Sequence, residues 1–234
     1  MSVTVAEINK TFVLPSSKKN GGKEIFYPES DGKPMAETDV HRELMSTLIA
    51  SLKAFFDDRN DVYVTGNIMF YYEEGNPRTS ISPDVMIVKG VQKKLRRTFR
   101  LWEENVPDVI FELSSRKTRN ADFEKKYLLY EGFGVKEYYI FDPEYRYLSK
   151  EPLFAFHSKN KLFKKMKVET GKIFSPSLNL DIVNTSETLR LFNPETKEFL
   201  PTMKELIRQA TKVETLESEI ERLKAELAKR KRQN

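Results

Sequence analysis

This chain of 234 residues predicts a fold of the α/β (α+β) class, a mixed β-sheet flanked by helices, with a C-terminal coiled-coil helix. Three observations carry that expectation. Residues 62–72 and 81–88 are strand-like runs joined by turn residues, which predicts an antiparallel hairpin. Residues 109–114, 122–132 and 137–141 read as strand, helix and strand, and a crossover of that length implies parallel pairing. From Leu206 onward, apolar residues recur at alternating spacings of three and four.

Residues 1–25 offer little to bury, and Gly21-Gly22 loosens them further, so a flexible lead-in is expected. Residues 27–34 (YPESDGKP) are turn chemistry. A helix is predicted from about residue 38, with Thr38 or Asp39 as N-cap, because Leu44, Leu48, Leu52 and Phe55 form one stripe. The run at 62–72 (VYVTGNIMFYY) is rich in β-branched and aromatic residues, and Glu73 to Pro77 turn it toward 81–88 (ISPDVMIV). Residues 89–100 carry basic side chains and no acid. Two readings stand there: a solvated connection, or an arm that holds phosphates through Lys93, Lys94, Arg96, Arg97 and Arg100. In the strand at 109–114, Val109, Phe111 and Leu113 share one face, and Ile110, Glu112 and Ser114 share the other. Beyond Tyr145, short strand and turn signals read as hairpins that extend or flank the sheet.

The last stretch opens with Thr202 and Glu205 in capping-box spacing. Leu206, Val213, Leu216, Ile220, Leu223 and Leu227 then form a seam with one polar gap at Gln209. A homodimeric coiled coil is the expectation, against an amphipathic helix folded back on its own domain.

Composition excludes several chemistries. The chain has no cysteine, which removes disulfides, thiolate nucleophiles and cysteine-based zinc sites. Its two histidines, His41 and His157, cannot build a histidine-rich metal site. No basic start followed by an apolar stretch marks a secretory leader, and no run reaches the roughly 20 apolar residues of a membrane span. A cytoplasmic protein without membrane contact is expected. The net charge of +5 suggests nucleic acid, but residues 201–234 hold nine Lys and Arg against six Asp and Glu, more than half of that excess.

Glu112 then stands out. An ionised carboxylate inside an apolar strand is costly unless a cation meets it. Asp84, after Pro83 at the start of another strand, supplies a second hard oxygen, and the backbone carbonyl of Leu113 a third. That set suits Mg2+ or Mn2+, which polarises a phosphoryl oxygen and acidifies a bound water. Lys126 beside that water would offset developing negative charge. Blander readings exist for each: Asp84 as a turn residue, Lys126 as an i, i+4 partner of Asp122, His41 as a structural contact. A Ser114–Lys117 match to Ser-x-x-Lys recurs at Ser16–Lys19 and Ser158–Lys161 and carries no signal.

These residues belong to longer stretches: PDV at 83–85, VIFELSSRKTR at 109–119 and DFEKKYLLYEGFGVKEYYIFDP at 122–143. In that order they resemble the bacterial "putative restriction endonuclease" family of the PD-(D/E)XK superfamily. YPESDGKPMAETDVHRELM at 27–45 and YYEEGNPRTSISPDV at 71–85 extend the resemblance. It implies a restriction-endonuclease-like core over residues 26–200, followed by the helical tail at 201–234. It implies Asp84 and Glu112 as the motif acids, with Ser114 where the motif lysine usually stands. The lysine of this family lies on the next helix, where Asp122, Lys126 and Tyr130 match the spacing. His41 also matches a family position, and Glu43 would be an extra helix acid. The function implied is a Mg2+-dependent (or Mn2+-dependent) endonuclease acting on DNA, with Arg116, Lys117 and Arg119 adding to the phosphate contacts. The displaced lysine motivates a rival, a nuclease-fold protein that binds DNA or a protein partner without cutting. A coiled-coil assembly module is a third expectation.

Overall fold

A computed structural model describes residues 25–30, 32, 37–148 and 151–233. The expected lead-in lies outside the described residues apart from Ile25, as do Asp31, Lys33 and Pro34 of the predicted turn. Helix α1 spans Asp39–Phe55, and the Thr38 side chain caps it by accepting from the His41 backbone N–H. Its apolar stripe, Leu44, Leu48 and Leu52, is buried.

The central sheet has six strands in the order β1-β4-β6-β7-β8-β9. These are β1 (Val62–Thr65), β4 (Val85–Lys89), β6 (Val109–Leu113), β7 (Glu137–Phe141), β8 (Leu153–Lys159) and β9 (Leu162–Met166). As the crossover predicts, β6 and β7 pair in parallel, and the other pairs in this sheet are antiparallel. A three-stranded sheet holds β2 (Phe70–Tyr71) between β3 (Ser80–Ile81) and β5 (Phe99–Arg100). A four-stranded sheet is built from β10 (Lys172–Ser175), β11 (Leu180–Asn184), β12 (Leu189–Asn193) and β13 (Glu198–Phe199).

The two strands expected at 62–72 and 81–88 are each broken in two. The antiparallel partnership survives, but its outer half, β2 with β3, belongs to the small sheet, and its inner half, β1 with β4, to the central one. The break is imposed at Gly66 and Asn67. Asn67 adopts a positive φ of 51°, and its N–H donates to the Pro83 carbonyl at 2.8 Å. A β-carbon on Gly66 would come within 1.9 Å of the Asp84 carbonyl oxygen, so the two chains cross here at backbone distance.

The alternation read from β6 is realised in the packing. Val109, Phe111 and Leu113 join Leu44, Leu48 and Leu52 of α1 and Leu180, Ile182, Leu189 and Leu191 of the second sheet. Ile110 faces the opposite core with Tyr130, Phe133, Tyr138 and Ile140. Between β6 and β7 the chain is helical from Arg119 to Phe133: α2 (Arg119–Ala121), a π-helical turn (Asp122–Lys126) and α3 (Tyr127–Phe133), closed by Gly134 in the left-handed region.

Helix α4 is a single element, Met203–Gln233. The predicted capping box opens it: the Thr202 N–H donates to Glu205 Oε2 at 2.7 Å, and the Glu205 N–H donates to Thr202 Oγ1 at 3.2 Å. Val213, Leu216, Ile220, Leu223 and Leu227 are all exposed, so the seam is not folded back on the domain. Among the described residues, no helix is long and apolar enough to cross a membrane.

Candidate active site at the end of the central strand

Asp84 immediately precedes β4, and Glu112 lies one residue before the end of β6. Antiparallel pairing of Val85 with Phe111 brings the two acids to the same end of the sheet. Glu112 is fully buried, and both of its oxygens are engaged. Lys126 Nζ donates to Oε2 at 2.6 Å, and Tyr130 Oη donates to Oε1 at 2.6 Å. Lys126 also lies 3.1 Å from Asp122 Oδ1, and Ser114 Oγ donates to Asp122 Oδ2 at 3.0 Å. The i, i+4 pair weighed for Lys126 is therefore formed, but its setting is a buried cluster and not a solvated face. The π-helical turn begins at Asp122 and ends at Lys126, a local widening common at functional sites and invisible to a periodicity argument.

Asp84 Oδ2 accepts the Leu113 N–H at 2.7 Å and lies 3.4 Å from His41 Nε2. The same imidazole nitrogen is 3.0 Å from the Leu113 carbonyl, and Nδ1 is 3.4 Å from Glu37. His41 thus ties α1 to the end of β6 and to the motif aspartate. The Leu113 carbonyl, expected as a metal ligand, meets His41 here. Glu43, the proposed extra helix acid, is exposed and lines a groove between α1, β12 and the start of α4, so it does not join the cluster.

Burial pushes the Glu112 carboxyl well above the usual carboxylate range, with Lys126 opposing and Asp84 and Asp122 adding to the rise. Burial acts on Asp84 in the same direction, but the His41 hydrogen bond, the Lys126 charge and the Leu113 N–H outweigh it and hold Asp84 low. Burial works against the Lys126 ammonium, yet Glu112, Asp122 and Asp84 together keep its pKa raised. Burial beside Glu112 pushes the Tyr130 phenol well up, so it stays a neutral donor. One firmly charged lysine thus sits among three acids.

The fit to a divalent cation follows from these donors. In kind they suit a hard ion: carboxylate oxygens, with Asp84 Oδ1 lacking a hydrogen-bond partner among the described residues. In number they are few, since among the described residues no three or more His, Asp or Glu are grouped to hold a metal. Mg2+ is commonly held by one or two carboxylates, with water and substrate phosphate completing its shell, so two acids remain compatible with it.

The basic residues divide sharply. Lys93 Nζ donates to the Phe56 and Asp57 carbonyls at the end of α1, at 3.3 and 2.9 Å. Arg96 forks onto Glu104 at 2.7 and 3.0 Å and lies over the Tyr63 ring. Arg97 pairs with Glu29 and Arg100 with Glu103. Of the expected arm, Lys94 alone lacks an acid among the described residues, and the other four cations pair with acids of the same chain. Arg116, Lys117 and Arg119 are different: they are exposed, follow Ser114 closely in the chain, and pair with no acid among the described residues.

The model of the Uma2 family, described as "Putative restriction endonuclease", matches residues 20–178, well over half of the chain. The chain belongs to the Uma2 family. The match spans α1, the central sheet and every residue of the Asp84–Glu112–Lys126 cluster. No curated protein matches this Uma2 chain. Among solved structures, one similar chain is a "putative nuclease belonging to DUF820" from Anabaena variabilis, at 14% identity, covering 64% of this chain and 81% of that one, with a TM-score of 0.45. Of the residues that matter for the site, sequence reading missed Gly66, Glu37 and Tyr138, whose hydroxyl donates to the Asp122 carbonyl at 2.9 Å. Gly66 left a signal, a glycine inside a strand pattern.

Proposed function

We propose that this Uma2 member binds nucleic acid, DNA by family resemblance, across the end of the central sheet and hydrolyses its phosphodiester backbone. One observation carries the reading: Lys126 lies within 3.1 Å of Glu112 and Asp122, and its charge also acts on Asp84. Mg2+ or Mn2+ would be held by the Asp84 and Glu112 carboxylates with the Leu113 carbonyl, and when bound would supply Lewis-acid polarisation and a more acidic water. Tyr130 holds the Glu112 carboxylate in place, and His41 holds Asp84. Lys126, once displaced from Glu112, presents a buried positive charge to a phosphate entering the site. Arg116, Lys117 and Arg119 grip the flanking backbone.

A second reading is binding without cleavage, and a specific observation favours it. Both Glu112 oxygens and the Leu113 carbonyl are satisfied by protein groups, the usual lysine position is Ser114, and no group of three ligands is present among the described residues. Incubation with plasmid DNA and with RNA, each with Mg2+, Mn2+ or chelator, separates the two. Cation-dependent cleavage is expected, with Asp84→Ala and Glu112→Ala each lowering it by about a hundredfold or more. Cleavage that survives both changes sinks the nuclease reading, and retained binding without cleavage supports the second.

Affinity itself is expected to rest on the loop beyond Ser114. The triple change Arg116→Ala, Lys117→Ala, Arg119→Ala should weaken duplex binding. It should also flatten the log–log salt dependence by about 0.9 for each phosphate no longer neutralised, measured by fluorescence anisotropy at several salt concentrations. An unchanged slope would place the phosphate-binding groups elsewhere.

A further inference from the structure

Beyond its first turn, the longest described element has no partner among the described residues. Helix α4 runs for 31 residues, and its apolar residues from Val213 to Leu227 stand about half exposed. The start of the helix is anchored: Ser51 Oγ of α1 donates to the Pro201 carbonyl at 2.6 Å, Arg190 reaches Glu205, and Leu206 is half-buried. Beyond that anchor, every residue from Ile207 to Lys229 for which side-chain burial is described is exposed. A row of large apolar side chains held in water along three heptads is unfavourable unless something covers it.

Heptad positions identify the cover. Leu206, Val213, Ile220 and Leu227 fall at a, and Gln209, Leu216 and Leu223 at d. β-Branched Val213 and Ile220 at a, with leucine at d, are the combination that favours two parallel strands. The flanking charges suit the same arrangement. Position g carries Lys212 and Glu219, and position e of the following heptad carries Glu217 and Lys224. In a parallel, in-register pair, Lys212 meets Glu217 of the second copy and Glu219 meets its Lys224, and each contact occurs twice by symmetry. Antiparallel pairing sets g against g and e against e instead, so Glu219 faces Lys212, Glu219 or Glu226 according to register and both g–e contacts are lost. In the single chain, Glu219 lies 3.7 Å from Arg222 and Lys224 lies 2.9 Å from Glu221, exposed i, i+3 pairs weak enough to exchange.

We propose that α4 is a docking surface for a second copy of this chain, forming a parallel, in-register, two-stranded coiled coil. The two-fold axis runs along the coil, so both nuclease-fold domains lie at its N-terminal end, each held by its own Ser51–Pro201 anchor. This inference stands on the seam and its charges, independently of whether the site cuts.

Sedimentation equilibrium on the full chain is expected to give two copies of 27.4 kDa. The double change Leu216→Glu, Leu223→Glu should give one copy, with the thermal midpoint of the domain unchanged because both positions are exposed. Direction is read separately. The chain has no cysteine, so Leu227→Cys gives a single thiol, which under mild oxidation cross-links to its own counterpart only in the parallel register. A wild-type mass of one, three or four copies overturns the proposal. So does a dimer that survives the double change, or a dimer whose Leu227→Cys form fails to cross-link.

Discussion

Lys126→Met is expected to lower stability by about 3–5 kcal/mol, the scale for removing one partner of a buried ion pair. For a chain of this size that is a fall of roughly 10 °C in melting midpoint. Lys126 is the only lysine or arginine within ion-pair distance of Glu112 and Asp122 among the described residues, and both acids are almost wholly buried. Without it, Glu112 keeps only the Tyr130 hydroxyl, and Asp122 keeps Ser114. The destabilisation is thus dominated by uncompensated carboxylates and much less by the missing hydrogen bond. A second change tests that account. Adding Glu112→Gln to Lys126→Met removes the most buried of the stranded charges while Tyr130 can still donate to the new side-chain carbonyl, so part of the stability should return. Differential scanning calorimetry on the wild type, both single variants and the double variant measures the coupling directly. If the double variant is no more stable than Lys126→Met alone, buried charge is not what Lys126 serves.

Gly66→Ala is expected to cost about 3 kcal/mol and to disturb the site as well as the fold. The added methyl group would lie 1.9 Å from the Asp84 carbonyl oxygen, 2.9 Å from its carbon and 2.9 Å from Ile49 Cδ1. The crowding cannot be relieved cheaply, because the oxygen and carbon are backbone. Asp84 is also fixed on both sides, by the Asn67 N–H on the Pro83 carbonyl and by the Leu113 N–H on its own carboxylate. Relief therefore requires the Pro83–Asp84 segment to move away from β1, carrying the carboxylate off Leu113 and His41. The measurements are chemical denaturation for stability and Mn2+ titration calorimetry for the site. A variant that folds with wild-type stability would show that the crossing is looser than its geometry implies.

Much of the central architecture was legible from the chain alone. The alternation through Val109 to Ser114 separated the two faces of β6, because a strand buried on both sides still obeys a period of two. The stripe of Leu44, Leu48 and Leu52 marked α1, and Thr202 with Glu205 marked the first turn of α4. The parallel pairing of β6 and β7 followed from the helix between them. What failed was continuity: 62–72 and 81–88 look like unbroken strands by composition, but each is divided between two sheets. The cause is a backbone crossing at Gly66, a contact between segments almost twenty residues apart that local propensity does not report. The basic segment 89–100 left two readings open, because the partners its cations meet, Glu29, Glu103, Glu104 and the end of α1, all lie outside the segment itself.

The candidate site divides along the same line. Glu112 announced itself, because an acid in the middle of an apolar strand demands a partner whatever the rest of the fold does. The sequence by itself therefore determined that a buried carboxylate exists, which strand carries it, and that the chain ends in a helix with an apolar seam. It offered Lys126 and, by resemblance, Tyr130 beside a metal ion as companions of that carboxylate, but not which of them meets it. Lys126 and Tyr130 reach Glu112 from the helical segment that follows β6, whose turn at 122–126 is π-helical, and Asp84 arrives because β4 pairs with β6 in one register. Burial and charge neutralisation are properties of the assembled neighbourhood, so the partners of Glu112 were decided by tertiary structure alone.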